Sequence, residues 1–332
     1  MSSNEEMRSR NHFKDKMSTF DTMTKRIAVI DCGTNTFNLL IADLLPNKPE
    51  VIFATKIPVR IGKGGLNDGI ILPDAEARAL YALQSHKATA EAYEVQQIFC
   101  FATSAFRNAS NGQQIADRVK KELNIELRII SGIDEAMLIY EGVNAAKALS
   151  PQNALIMDIG GGSCEFVYAN AQFFHQAHSF EIGVSRLYDK FPMANPPLAS
   201  EIDRLYQYLE NKLEKLFETV PPGGPQFLIG SSGTFDTFKD MHYALHPFQN
   251  KNTPLYDLNL DDFRHIYTQI CNSSLEERLQ IPGMSAFRAE MMVASVVSVD
   301  LIMKKYNFNQ IRTCTFSMKE GVLYKIWKDT IS

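Results

Sequence analysis

Two stretches of the chain carry the same order of apolar and polar positions. In IAVIDCGTNTFNLLIAD (Ile27 to Asp43) a short apolar run ends in Asp, a turn of Gly and small hydroxyl or amide residues follows, and a second apolar run closes the segment. ALIMDIGGGSCEFVYAN (Ala154 to Asn170) repeats this 127 residues later, placing Asp158 on Asp31, Gly160 on Gly33 and Ser163 on Thr36. Each copy predicts strand, tight turn, strand. A whole hairpin recurring at an offset far longer than any stacked-repeat period predicts two related lobes, against the plainer alternative of two unrelated hairpins.

Elsewhere the pattern alternates between strand and helix. VIFATKIPVRIG (Val51 to Gly62) predicts a third strand, and the spaced Ala and Leu residues that follow predict a helix starting at Pro73. IFCFATS (Ile98 to Ser104) and ELRII (Glu126 to Ile130) predict strands, with helices over 111–123 and 134–149. In the second half HSFEIG and QFLIG (Gln226 to Gly230) predict strands, two helical stretches surround 201–217, and PPGGP (Pro221 to Pro225) marks a loop. A helix over 285–306, the strand IRTCTFS and a final helix from Lys319 complete the reading. The expected class is α/β, with lobe I over 25–133 joined by the returning helix 319–332, lobe II over 134–318, and a disordered tail over 1–24.

At 332 residues and 45% hydrophobic, the chain has material for two cores. A net charge of −4 provides no global field for nucleic acid or an anionic membrane, so a polyanionic ligand must meet a local patch. The first two dozen residues mix both charges without an apolar run, unlike a signal peptide. The longest apolar stretch, Met291 to Met303, is broken by Ser295, Ser298 and Asp300 and is too short to span a membrane. Cys32, Cys100, Cys164, Cys271 and Cys314 lie far apart with no C-x-x-C pair, which predicts reduced thiols in a cytoplasmic protein. Neither His175-x-x-His178 nor His242-x-x-x-His246 completes a metal pattern, so structural or surface roles are expected.

The turn Gly33-Thr34-Asn35-Thr36 offers amides and hydroxyls that can converge on phosphate oxygens, and Gly160-Gly161-Gly162-Ser163 does so with three glycines that an ordinary hairpin has no reason to carry. Asp31 and Asp158 end their strands just before these turns, where a carboxylate can hold Mg²⁺ directly or through water; a turn-forming Asp bonding its own backbone is the alternative. Gly230-Ser231-Ser232-Gly233-Thr234 sits between a strand and a helix, aiming helix N-terminal amides at an anion. Arg107 follows the strand IFCFAT as a planar cation suited to phosphate, or else is a solvated surface residue. Asp134 and Glu135 stand in the first turn of a helix, where the helix dipole alone accounts for acids.

IDCGTNTFNLLIAD, FATSAFRNASNG, IISGIDEAMLIYEGV, IMDIGGGSCEFVY, EIGVSRLYDKF, IGSSGTFDTF and MKEGVLY resemble, in that order, the segments of the exopolyphosphatase and guanosine pentaphosphate phosphohydrolase family, over about residues 25 to 328. The resemblance implies two lobes of the actin-like, ribonuclease H-like ATPase fold clasping a phosphorylated ligand in a cleft. It implies that Glu135, directly before Ala136, is the general base, and it carries over Arg107, Glu165 and Arg288 by position, Glu165 as an acid beside the metal. Asp134, Met137 and Lys319 depart from the usual Glu, Arg and Arg. Longer members have a further helical C-terminal domain, and this sequence ends after two lobes, which implies a shorter or more nucleotide-like substrate. A homodimer is a further expectation from the resemblance.

The expected chemistry is hydrolysis of a terminal phosphoanhydride of polyphosphate or guanosine pentaphosphate. The Gly-rich turns, Arg107 and Arg288 grip phosphate, Mg²⁺ near Asp158, Asp31 and Glu165 offsets charge, and Glu135 activates water. Two other readings stay open: a kinase of the same superfamily, revealed by ATP consumption that needs a small acceptor, and a non-catalytic nucleotide-binding or assembly protein, revealed by light scattering without phosphate release.

Overall fold

The computed structural model describes residues 25–245 and 253–331. The expected tail over 1–24 and His246 lie outside them. One sheet holds β1 (Lys25–Cys32), β2 (Thr36–Leu44), β3 (Pro49–Pro58), β4 (Gln97–Ala102) and β5 (Leu127–Ile129). The other holds β6 (Ala154–Ile159), β7 (Cys164–Ala169), β8 (Phe174–Phe180), β9 (Phe227–Ser231), β10 (Leu255–Asn259) and β11 (Gln310–Cys314). Both run an antiparallel meander into parallel neighbours: β3-β2-β1-β4-β5 in the first, β8-β7-β6-β9-β11 in the second, where β10 adds an antiparallel edge.

The repeat seen in the sequence is therefore a repeat of structure, and it keeps its register. Asp31 pairs with Asn38 as Asp158 pairs with Glu165. The Gly33 amide donates to the Thr36 carbonyl at 3.1 Å, and Gly160 donates to Ser163 at 3.0 Å. Two lobes of one α/β plan, as the resemblance implied, are observed.

Each sheet is covered on both faces. Ile30, Phe37 and Leu39 of the first pack against Ala75, Ala79 and Leu83 of helix Pro73–Ala92, which opens with Pro at its start and Asp74 and Glu76 in its first turn. On the opposite face Ile27, Val29, Leu40 and Ala42 meet Val322 and Leu323 of helix Met318–Ile331. Ile156, Val167 and Ile229 of the second sheet meet Ala136, Ile139 and Val143 of helix Gly132–Ala145, and its far face packs on Phe235, Phe238 and Val296. The returning C-terminal helix and helix Gly132–Ala145 thus lie between the sheets. They touch where Gly142 and Gly321 leave room for backbone against backbone.

Some elements depart from expectation. The third strand stops at Pro58, because the amides of Val59, Arg60 and Ile61 turn back to the carbonyls of Asn35 and Thr34 at 2.9 Å and buttress the first turn. The helix expected over 285–306 begins only at Met292; before it, Gly283 takes a φ of +83° and short turns carry Arg288 toward the cleft. Strand β10 and helices Leu260–Cys271, Leu275–Gln280 and Val184–Lys190 were not expected. Strand β10 is short and pairs only with the distant β11, and two of the helices are short, but Leu260–Cys271 carries an Asn259 cap and buried Phe263, Ile266 and Ile270 at helical spacing, a signal the sequence did offer.

Candidate active site

The two hairpin turns face each other across the interlobe cleft. A side chain on Gly161 would fall 2.8 Å from Asn35, and one on Gly162 would fall 2.4 Å from the Ser104 hydroxyl, so glycine is what allows the turns to meet. The Ser185 hydroxyl donates to Asn35 Oδ1 at 2.8 Å across the same gap. The turn amides of Gly33 and Gly160 close their own hairpins, whereas those of Thr34, Asn35, Gly161 and Gly162 have no acceptor among the described residues. These unused donors border a cavity of about 120 Å³.

A third donor group enters from the N-terminus of helix Gly233–Leu245. Arg288 lies against it: a side chain on Gly233 would overlap the guanidinium, and Arg288 Nη1 donates to Thr237 Oγ1 at 3.2 Å. Burial lowers the Arg288 pKa, and Asp236 and Asp240 only partly compensate. No carboxylate lies within 4 Å of Arg288 among the described residues. A half-buried guanidinium at a helix N-terminus without an ion pair is an arrangement that an anion completes.

Opposite this electropositive rim stands a group of acids. Burial pushes Asp31 up to about 6 despite Lys319 and the Asn38 amide, which donates to it at 3.1 Å. Asp158 is also pushed up to about 6 by burial, and Ser231 Oγ donates to it at 3.0 Å. Burial pushes Glu135 up to about 8, against the pull of Arg107, with Asp158 and Asp31 adding repulsion. Glu165 is raised well above the usual carboxylate range by burial and then by Glu135 and Asp158, although Ser179 Oγ donates to it at 2.7 Å. Carboxylates crowded in this way call for a cation.

The residues fit a hard cation of one particular kind. Among the described residues no three His, Cys, Asp or Glu side chains form a ready metal cage. Mg²⁺ does not require one, since it keeps several waters and is held by one or two carboxylates together with substrate phosphates. Asp31 and Asp158, both lining the cavity with oxygen donors only, meet that description.

Metal-free protein should therefore lose stability as pH rises. A carboxyl whose pKa is raised on folding keeps its proton in the folded chain where the unfolded chain has lost it, so stability falls through that window. The window runs from the ordinary 3.8 to about 6 for Asp31 and Asp158, and from 4.5 to about 8 for Glu135. Melting temperature in the presence of a chelator is expected to fall from mildly acidic to mildly alkaline pH, less so in Glu135→Gln; a Tm that does not fall would contradict the burial described here.

Glu135 owes its position to a cap. Ser131 Oγ accepts the Asp134 amide at 3.1 Å and starts helix Gly132–Ala145, whose first turn then aims Glu135 at the cavity. Arg107 Nη1 donates to Glu135 Oε2 at 3.0 Å and to the Ile130 carbonyl at 3.2 Å, while Nη2 reaches Glu181 Oε1 at 3.4 Å.

The structure thus brings residues 31, 33–36, 135, 158, 160–163, 233, 234 and 288 around one cavity. It places others behind it. Gly230 lies under the Phe235 ring, which a side chain there would strike at 2.0 Å, so its smallness serves packing. Ser231 is turned to Asp158, Glu165 to Ser179, and Arg107 to the two glutamates. His175 bonds Asn153 and His178 bonds Thr219, both away from the cleft. Glu181, Arg186 and Ser104 were missed. Glu181 and Arg186 stand in EIGVSRL, but their five-residue spacing does not announce that they pair with each other, and their further partners Ser104, Arg107 and Leu66 lie in the other lobe.

Residues 40–330 match the family description of the Ppx/GppA phosphatases. The chain belongs to the Ppx/GppA phosphatase family. It is an enzyme, a phosphoanhydride hydrolase, which decides among the readings that the sequence left open. Exopolyphosphatase 1 of Mycobacterium tuberculosis is 26% identical over 302 residues, covering 90% of this chain and 88% of its own. The crystal structure of an exopolyphosphatase from Cytophaga hutchinsonii is 38% identical with a TM-score of 0.89, over 92% of this chain and 98% of that one. A Ppx/GppA family member from Aquifex aeolicus, 23% identical, shares the fold with a TM-score of 0.79 over 93% and 100% of the two chains. No helix of the described residues is long and apolar enough to cross a membrane.

Proposed function

We propose that this enzyme is an exopolyphosphatase, releasing terminal orthophosphate from inorganic polyphosphate, with guanosine pentaphosphate as a second substrate of the same bond type. The observation that carries this reading is the division of one cleft into two halves. Arg288, a helix N-terminus and two glycine turns with unused amides form an anion cradle, and buried carboxylates face it.

In this reading the terminal phosphoryl oxygens lie against the turn amides and Arg288, which stabilise charge spreading over them as the bridging P–O bond breaks. Glu135 takes a proton from the attacking water, and Arg107 fixes its carboxylate from behind. Asp31 and Asp158 would hold Mg²⁺, which when bound offsets the phosphate charge. The water oxygen leaves in orthophosphate, and the chain departs one unit shorter. Five buried free thiols support a reducing, cytoplasmic setting, and a homodimer is the assembly proposed with it.

The test is phosphate release across polyphosphates of several lengths, guanosine pentaphosphate, and ATP with and without a sugar or acetate, each with Mg²⁺ or a chelator. Acceptor-independent release from polyphosphate, lost with the chelator, is the expected result. No release from any polyphosphate would refute the reading.

A further inference from the structure

One closed network of charges runs from the catalytic cleft to the lobe boundary, and its central member is a residue to which nothing above gives a role. Glu181 follows strand β8 in lobe II. Its Oε1 accepts from Arg107 Nη2 at 3.4 Å, and its Oε2 accepts from Arg186 Nη2 at 2.9 Å and from Ser104 Oγ at 2.7 Å. Ser104 and Arg107 belong to helix Ser104–Asn108 of lobe I, so this one carboxylate bonds across the cleft twice.

Arg186 extends the link in both directions. Its Nε donates to the carbonyl of Gly162 in the phosphate turn at 3.2 Å, and its Nη1 donates to the lobe I carbonyl of Leu66 at 3.0 Å. Asn67 Nδ2 donates in return to the Arg186 carbonyl at 3.3 Å. Two arginines and two glutamates therefore balance in sequence, Glu135, Arg107, Glu181 and Arg186, and join the base to the turn that faces it.

We infer that Glu181 is a positioning residue: with Arg186 it latches the lobes together and holds the Arg107 guanidinium in the plane that aims Glu135. The physical reason is geometric. A planar fork bonded on one nitrogen alone can swing about that bond, whereas carboxylates on both of its terminal nitrogens fix its plane. The Glu181 side chain is 38% exposed, but its partners are not: the arginine side chains are only 18% and 13% exposed and Ser104 is buried, so each bond is shielded from water on the partner's side. Arg60 and Glu290 also bridge the lobes, at 3.6 Å, but with both side chains more than a third exposed, and that pair serves as the control.

The inference rests on the hydrolase reading for its kinetic arm, and a second arm is independent of activity. With polyphosphate as substrate, Glu181→Gln leaves one acceptor oxygen where two arginines need two. It is expected to lower kcat about tenfold, as for the loss of one charge-assisted hydrogen bond, with KM within about threefold. Arg186→Gln should do the same, and the double variant should be no worse than either single one, because the two act as one unit. Glu290→Gln should leave kcat unchanged.

The second arm uses spin labels on Glu50→Cys and Glu210→Cys, exposed positions in lobes I and II, with the native thiols all buried. The interlobe distance distribution should broaden or lengthen in Glu181→Gln and Arg186→Gln but not in Glu290→Gln. A kcat within twofold of wild type, effects that multiply in the double variant, or unchanged distances would each overturn the latch. If the wild type released no phosphate from polyphosphate, the functional reading would fail while the distances still decided this one.

Discussion

Replacing Glu135 with Gln is expected to lower phosphate release by about 10²–10⁴-fold, the range for losing a general base. The amide keeps the shape of the side chain and can still accept from Arg107, but it cannot take a proton from water. The fold should persist, because Arg107 retains Glu181 and the Ile130 carbonyl and is not left as an unpaired buried charge. KM should change little, since the anion cradle of turn amides and Arg288 is made by other residues. Full activity in this variant would remove Glu135 from the mechanism.

The pH profile provides a second reading of the same group. In the proposed mechanism Glu135 serves as a base only when ionised, and burial pushes it up to about 8. kcat/KM in the wild type should therefore be low at acid pH, rise as the carboxylate loses its proton, and level off once it is ionised, at or below about 8, since a cation held by Asp31 and Asp158 would offset their repulsion. Glu135→Gln should lose that rise together with the rate. The same burial that delays ionisation makes the ionised form a stronger base once formed.

Much of this arrangement was legible in the sequence, for identifiable reasons. The repeat could be read because strand, glycine turn and strand leave a local pattern, and the register found between Asp31 and Asn38, and between Asp158 and Glu165, is the one that pattern carries. Thr36 and Ser163 followed from the same alignment. Periodicity gave no role to Glu135: an acid in the first turn of a helix is indistinguishable there from one placed by the helix dipole. The resemblance supplied the role, and the structure supplied its partner, Arg107.

What stayed hidden depended on the other lobe. Gly230 looked like the start of a phosphate loop because a glycine in such a loop and a glycine under an aromatic ring read alike in one dimension, and only packing against Phe235 separates them. Arg107, expected to grip phosphate, is bonded to two glutamates in the structure, a pairing that no local pattern announces. Glu181 and Arg186 were invisible as a pair because their meaning lies in Ser104, Leu66 and Asn67, which are 77 to 120 residues away in the chain.

Gly321→Ala carries the largest expected cost to stability, and its sign distinguishes two accounts. Alanine is the better helix former by about 1 kcal/mol, so propensity alone predicts a more stable protein. The crossing of helices Gly132–Ala145 and Met318–Ile331 predicts the reverse. A Cβ on Gly321 would stand 1.7 Å from the Leu138 carbonyl oxygen and 3.0 Å from the Gly142 amide nitrogen, and one on Gly142 would stand 2.2 Å from the Ser317 carbonyl oxygen. These obstacles are backbone, so no rotamer change relieves them and the helices must move apart. The expected loss is about 2–3 kcal/mol, as for overpacking of a tight core, seen as a lower urea midpoint with an unchanged slope. Activity should fall with it, because one of these helices carries Glu135 and the other carries Lys319, whose charge helps hold Asp31 ionised. A raised midpoint in Gly321→Ala would mean that the two helices do not meet as described, and the link between the lobes would have to be sought elsewhere.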